Sequence, residues 1–243
     1  MKENAYDDAA FFAKYSRFPR SVEGLRAAGE WHALRDMLPD FAGKRVLDIG
    51  CGFGWHCIYA AEQGAARIVG TDISERMLAV ARERTPGPSV EYRRVAMEDL
   101  DDPAASYDVV LSSLAFHYTP DFRAVCGNIH RMLADGGDFV FSAEHPVFTS
   151  AGPQDWMYGT GGQRICWPVD RYFEEGAREA SFLGERVTKY HRTLSSYLSA
   201  LLDTGFAITG LVEPLPDPEL LARLPELADE LRRPMMLLVS AKK

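Results

Sequence analysis

The chain has 243 residues, 47% of them hydrophobic and 26% charged, with a formal net charge of −8. That length suits one globular domain, and that balance supplies both a core and a solvated surface, which excludes a mostly disordered chain. The acidic total opposes a nucleic-acid partner and favours a small-molecule one.

No uncharged run approaches the roughly 18 residues a membrane span needs. The acidic opening MKENAYDD lacks the basic-then-apolar order of a secretory leader, so the expected compartment is the cytoplasm. Residues 1–42 gather Phe11, Phe12, Tyr15, Phe18 and Trp31, an apolar set expected to form a helical lid. Arg45–Ile49 (RVLDI) is short, β-branched and apolar, as a strand buried on both faces should be, and Gly50, Gly52 and Gly54 end it. Trp55–Gln63 then reads as a helix closed by Gly64, and Arg67–Thr71 as a second strand. Ser74 can cap a helix through Arg84, the two prolines of Thr85–Ser89 break it, and Val90–Val95 is a third strand.

Tyr107–Leu114 makes a fourth strand. Phe122, Val125, Ile129, Met132 and Leu133 form a helical stripe, after which Gly136 and Gly137 lead into a strand over Asp138–Ala143. Strands joined by helical crossovers imply an α/β domain with a parallel sheet covered on both faces. Thr149–Phe182 is Gly- and aromatic-rich without clear period, longer than an ordinary loop and therefore of functional interest. A helix over Thr193–Thr204 and strands over Phe206–Val212 and Met235–Ala241 complete the chain. Cys51, Cys57, Cys126 and Cys166 form no CxxC pair and no metal-ligand spacing, so reduced thiols and no metal are expected.

The turn Asp48-Ile-Gly50-Cys-Gly52-Phe-Gly54 places an acid at a strand end and three residues without side chains where a ligand can lie on the backbone. Its GxGxG spacing departs from the GxGxxG of dinucleotide folds, which argues against a nicotinamide oxidoreductase. Asp48 would repel a pyrophosphate and suit a ligand bearing an ammonium or sulfonium group. Asp72, ending the second strand, should reach the same sheet edge and accept both hydroxyls of a ribose.

These segments, VLDIGCGFG, GTDIS, AMEDL and YDVVLSSLAFHY with the Gly136-Gly137 turn, resemble the ordered motifs of class I S-adenosylmethionine-dependent methyltransferases across Gly43–Glu144. The resemblance implies a Rossmann-like, doubly wound, seven-stranded, mostly parallel sheet. On that basis the layout is a lid (1–42), a cofactor core (43–144), a substrate-side insert (145–192) and a C-terminal completion of the sheet (193–243). It further implies that Asp48, Gly50, Gly52, Gly54 and Asp72 hold the cofactor, with Ile73, Met77, Met97 and Glu98 near the adenine and Ser112 and Leu114 near the methionine end. Ala96 departs from the Asp common there, making Glu98 the candidate acceptor for the adenine amino group.

Methyl transfer chiefly needs alignment of nucleophile, methyl carbon and sulfur. Where the acceptor must lose a proton, histidine is suited to take it, and His117 and His145, just past the fourth and fifth strands, are the candidate bases. Tyr15, Tyr118, Trp156 and Trp167 are candidate substrate contacts, and Tyr15 and Arg20 could also approach the cofactor carboxylate. The same aromatics could instead form satellite cores or a homodimer contact.

The expected function is methylation of an O, N or C atom of a small aromatic or heterocyclic metabolite; the alternative is a non-catalytic cofactor-binding module acting through a protein partner. SSLA replaces the [DN]PP[YFW] of amide- and base-methylating enzymes, no CxxxCxxC run serves radical chemistry, and no carboxylate triad suggests a magnesium site.

Overall fold

The computed structural model describes residues 4–85 and 87–243. The first three residues of the acidic opening and one of the two prolines in Thr85–Ser89 lie outside the described residues. Helices α1 (Ala9–Tyr15), α2 (Pro19–Glu23) and α3 (Trp31–Met37) precede the sheet. Strands β1 (Arg45–Ile49), β2 (Arg67–Asp72), β3 (Val90–Arg94), β4 (Tyr107–Ser113) and β5 (Leu133–Glu144) follow, with α4 (Trp55–Glu62), α5 (Glu75–Arg84) and α6 (Phe122–Met132) as crossovers. A short α7 (Pro146–Thr149), hairpins β6 (Met157–Tyr158)/β7 (Arg164–Cys166) and β8 (Gly176–Phe182)/β9 (Glu185–His191), then α8 (Leu194–Asp203), β10 (Ala207–Val212), α9 (Pro218–Arg223) and β11 (Met236–Lys242) complete the chain.

The seven-stranded sheet has the order β3-β2-β1-β4-β5-β11-β10, and β11 alone runs antiparallel to its neighbours. This is the doubly wound, mostly parallel arrangement expected from the alternation of elements. One face packs α6 and α8 through Phe122, Ile129, Phe139, Phe141, Tyr197 and Leu201. The other buries Val46, Cys57, Ala60, Ile68, Leu78 and Val109 beneath α4 and α5. Asp121 caps α6 by accepting from the Ala124 amide (2.9 Å), and Ser74 caps α5 through the Met77 amide (3.2 Å).

Two elements depart from expectation. Strand β5 starts at Leu133 rather than Asp138, because the glycine pair pairs with the chain end: the Gly136 amide donates to Lys243 O and the Lys243 amide to Gly137 O, both at 3.1 Å. The stretch Thr149–Phe182 contains ordered hairpin strands. The β8–β9 hairpin turns through Leu183 and Gly184, both at positive φ (54° and 76°), and its inward Ala180 and Val187 pack on Phe11. Strand β1 pairs with β2 so that Asp48 opposes Gly70 and Ile49 opposes Thr71, which brings the glycine turn and Asp72 to one sheet edge.

Candidate functional site

Gly50, Gly52 and Gly54 all adopt positive φ (70°, 53° and 77°). A Cβ on Gly50 would stand 2.5 Å from Ala115 Cβ, so the chain after β4 packs directly on the turn. The Gly52 amide donates to Asp72 Oδ2 (3.0 Å) and the Ser74 amide to Oδ1 (2.8 Å). Burial pushes the Asp72 carboxyl up to about 6 despite these bonds.

A cavity of about 400 Å³ opens on this turn. Along the sheet order the lining runs from Ala96, Met97 and Glu98 after β3, through Asp72, Ile73 and Met77 at and after the end of β2, to Gly50 and Gly52 after β1 and Leu114 after β4, and Tyr15 lines it too. His117, Tyr118, Glu144 and Lys189 also line the cavity, together with the apolar Leu220, Met235 and Met236. The N-terminal segment closes over it: Tyr6 and Tyr15 line the cavity, and the Tyr6 and Tyr118 hydroxyls are 3.1 Å apart.

The charges around this space are arranged in pairs. Arg20 holds the fully buried Glu30 at 2.6 Å and donates to Ser113 Oγ at 2.8 Å. Lys189 bonds Glu144 Oε1 and Gln154 Oε1 (3.0 Å), while Gln154 Nε2 donates to Glu144 Oε2 (2.6 Å). Burial acts to raise the Glu144 carboxyl, but His117, Lys189 and Gln154 outweigh it and hold the group below its ordinary value. The Glu144 amide donates to His117 Nδ1 at 3.5 Å, and burial lowers the His117 imidazole to about 4. The ring is therefore neutral at pH 7, with its proton on Nε2.

Behind the turn a smaller polar cleft of about 60 Å³ is lined by Arg20, Ser21, Gly50, Gly52, Trp55 and His56. Among the described residues, Trp55 Nε1, His56 Nε2 and Glu30 Oε2 are buried with no hydrogen-bond partner. Buried polar atoms of this kind call for an explanation, and a polar ligand in the adjoining cleft is one.

Gly50, Gly52, Asp72, Ile73, Met77, Met97, Glu98, Leu114, Tyr15, His117 and Tyr118 thus share one cavity, as their placement along the sequence implies. Six other candidates do not line it. Asp48 is 1% exposed beneath the turn, where its carboxylate accepts from Cys57 Sγ at 3.3 Å, because a strand-end side chain points either to the edge or into the helix layer. Gly54 starts α4 and faces Tyr92 and Ala81. Ser112 Oγ donates inward to Ile49 O at 2.8 Å. His145 caps α7 through the Val147 amide (3.0 Å), with Nε2 2.8 Å from Glu213, so both ring nitrogens face protein groups. Trp156 and Trp167 surround Arg233, whose guanidinium carbon lies 5.5 and 4.3 Å from their ring centres, a cation–π packing that braces the wall from behind.

Glu144, Lys189, Gln154 and Glu30 were missed by motif reading. Glu144 carried a usable signal, since it ends β5 at the sheet edge where ligands of open α/β sheets bind. Lys189 and Gln154 carried none, because the hairpin and the insert reach the cavity only through folding.

The protein family described as a methyltransferase domain matches residues 46–137. The fold superposes on a candidate S-adenosylmethionine-dependent methyltransferase of Listeria monocytogenes with a TM-score of 0.86 at 55% identity, over 90% of this chain and 99% of that one. An S-adenosylmethionine-dependent methyltransferase of Mesorhizobium loti gives 0.84 at 46% identity, over 90% of this chain and all of the other. Among curated relatives, an uncharacterised Haemophilus influenzae protein is 31% identical over all of this chain and 98% of its own length. A ubiquinone biosynthesis O-methyltransferase of Pseudomonas syringae is 39% identical, but over only 44% of this chain and 47% of that enzyme.

Proposed function

We propose that this chain, which belongs to the class I S-adenosylmethionine-dependent methyltransferases, transfers a methyl group to a small metabolite with a largely apolar body. The observation that carries this reading is the continuity of the cavity from Asp72 and the glycine turn to the separate, apolar-walled space beyond Leu114. The residues fit such a cofactor. The Asp72 carboxylate would accept ribose hydroxyls, Ala96 and Met97 would form an apolar slot for the adenine, and Glu98 is the candidate partner of its amino group; all four line the cavity. Arg20, Ser21 and Trp55 Nε1 would receive a carboxylate, and the unpartnered Glu30 oxygen an ammonium.

When bound, the cofactor supplies an electrophilic methyl carbon on a sulfonium. The protein's part is to hold an acceptor in line with that carbon and to exclude water, and alignment of this kind is worth roughly 7–11 kcal/mol of barrier. Tyr6, Tyr15 and Phe18, lining the same cavity, would supply the cover.

Calorimetry with S-adenosylhomocysteine and turnover with S-adenosylmethionine carrying a tritiated methyl group test the reading together. Binding with transfer to a metabolite extract is expected. Binding without transfer would favour a non-catalytic module, and no binding would sink the reading.

A further inference from the structure

We propose that the acceptor is a carboxylic acid, taken up as its carboxylate and converted to a methyl ester, an inference that rests on the methyl-transfer reading above. On the β4–β5 side of the glycine turn the cavity is lined by the polar side chains of His117, Tyr118, Glu144 and Lys189, by Tyr6, whose hydroxyl lies 3.1 Å from that of Tyr118, and by Glu230. Both carboxylates among them are engaged. Glu144 is bonded by Lys189 and Gln154, and Glu230 is gripped by Arg233 through two bonds of 2.5 and 3.1 Å. His117 accepts the Glu144 amide on Nδ1, so its remaining polar edge is the Nε2–H. Lys189 spends two N–H groups on Glu144 and Gln154 and retains a third. This side therefore offers donors, and its two carboxylates are each already bonded by a cationic side chain.

An alcohol or an ammonium would have to surrender a proton here, and the local groups are set to give protons rather than take them. A carboxylic acid has already lost its proton at neutral pH. A neutral heterocyclic nitrogen also needs no base, but a donor such as His117 Nε2–H would occupy its only lone pair. A carboxylate can accept that donor on one oxygen and react through the other.

Charge points the same way. Lys189 with Glu144 and Arg233 with Glu230 cancel locally, so this wall brings no net charge of its own. In a poorly hydrated cavity a sulfonium then favours an anionic neighbour, and transfer neutralises both. In the step itself a carboxylate lone pair forms the new O–CH₃ bond while the methyl–sulfur bond breaks with its electron pair passing to sulfur. No proton moves and no further reactant is consumed. Phe182, Leu220, Met235 and Met236 give the rest of the acid an apolar surface.

The test uses the full-length protein, tritiated-methyl cofactor, and matched sets of aromatic and branched-chain carboxylic acids, alcohols, amines and N-heterocycles. Alkali releases an ester's label as volatile methanol and leaves ethers and methylamines intact. Labelled acids whose label alkali sets free are expected. Label confined to alkali-stable products, or no acid labelled although S-adenosylhomocysteine binds, would overturn the proposal; failure of that binding would remove the methyl-transfer reading instead. With the best acid, His117→Phe should lower kcat/KM about ten- to hundredfold at unchanged S-adenosylhomocysteine affinity, the loss typical of a charged hydrogen bond. His117→Gln, which keeps an N–H donor, should recover most of it. Unchanged kcat/KM in His117→Phe would also overturn the proposal.

Discussion

The Gly52 amide donates to the Asp72 carboxylate at 3.0 Å, so the turn after β1 and the acid ending β2 are held to each other at one edge of the sheet. Removing that acid costs both the turn's anchor and the proposed ribose acceptor. Asp72→Ala should weaken S-adenosylhomocysteine binding by about ten- to hundredfold while the thermal transition remains cooperative. Unchanged affinity by calorimetry would refute the ribose assignment.

The same carboxyl sets a pH dependence. Its folded value of about 6 lies above the ordinary 3.8 because burial opposes ionisation. Ligand affinity should therefore rise between pH 5 and 7 as the accepting carboxylate forms. Stability of the ligand-free protein should move the other way: the folded state keeps this proton longer than the unfolded chain, so this contribution is complete below 3.8 and is lost as pH rises through about 6. Titrations of Asp72→Asn, which cannot ionise, should show neither component.

Gly54 has φ +77°, and a Cβ there would sit 2.3 Å from the Tyr92 hydroxyl and 3.1 Å from Ala81 Cβ. Gly54→Ala should lose about 2 kcal/mol or more, from left-handed backbone strain of roughly 1–2 kcal/mol together with the contact. Tyr92→Phe removes the nearest atom, so the double variant should lose less than the two single losses combined. Strict additivity in denaturant melts would show that the contact is unimportant.

Lys189 and Glu144 are both nearly inaccessible, and a buried pair is harmed most when one member is left alone. Lys189→Met should cost about 3–5 kcal/mol, whereas Lys189→Met with Glu144→Leu should recover a large part of it. Because Glu144 titrates below its ordinary value, its contribution is present at neutral pH and is lost as pH falls through the acid range. Urea melts at pH 7 of the single and double variants decide this, and equal losses would contradict it.

Asp7 ties the N-terminal segment to the core: it accepts from Ser74 Oγ (2.6 Å), the Arg76 amide (3.1 Å) and Arg94 (3.2 Å). Asp7→Ala should loosen the cover formed by Tyr6 and Tyr15, raising the S-adenosylhomocysteine dissociation rate severalfold and hastening amide exchange across residues 5–15. An unchanged dissociation rate in stopped flow would show that the segment does not gate the site.

The sheet and the edge that joins the glycine turn to Asp72 were legible because their signals are local. RVLDI, three glycines at fixed spacing and an acid at the end of the next strand each constrain their own backbone, and parallel pairing then brings them together. The β8–β9 hairpin was not legible: its inward positions include Arg178 and Lys189, which spoil the apolar alternation, and both are buried by partners elsewhere in the chain. His145 and the two tryptophans lie off the cavity for different reasons: a position just past a strand end does not fix which way a side chain turns, and an aromatic ring of the insert can pack on a guanidinium as readily as line a pocket.

What the order of residues determined by itself was the α/β class, the glycine turn and the acid that faces it, because each depends on backbone geometry over a few positions. Tertiary structure alone decided that Glu144, Gln154 and Lys189 meet at one wall, that His117 presents a donor, and that Arg233 fills the tryptophan box. Those outcomes depend on which distant groups satisfy one another away from water, and a buried charge or hydrogen-bonding atom has its role set by its partner rather than by its neighbours in the chain.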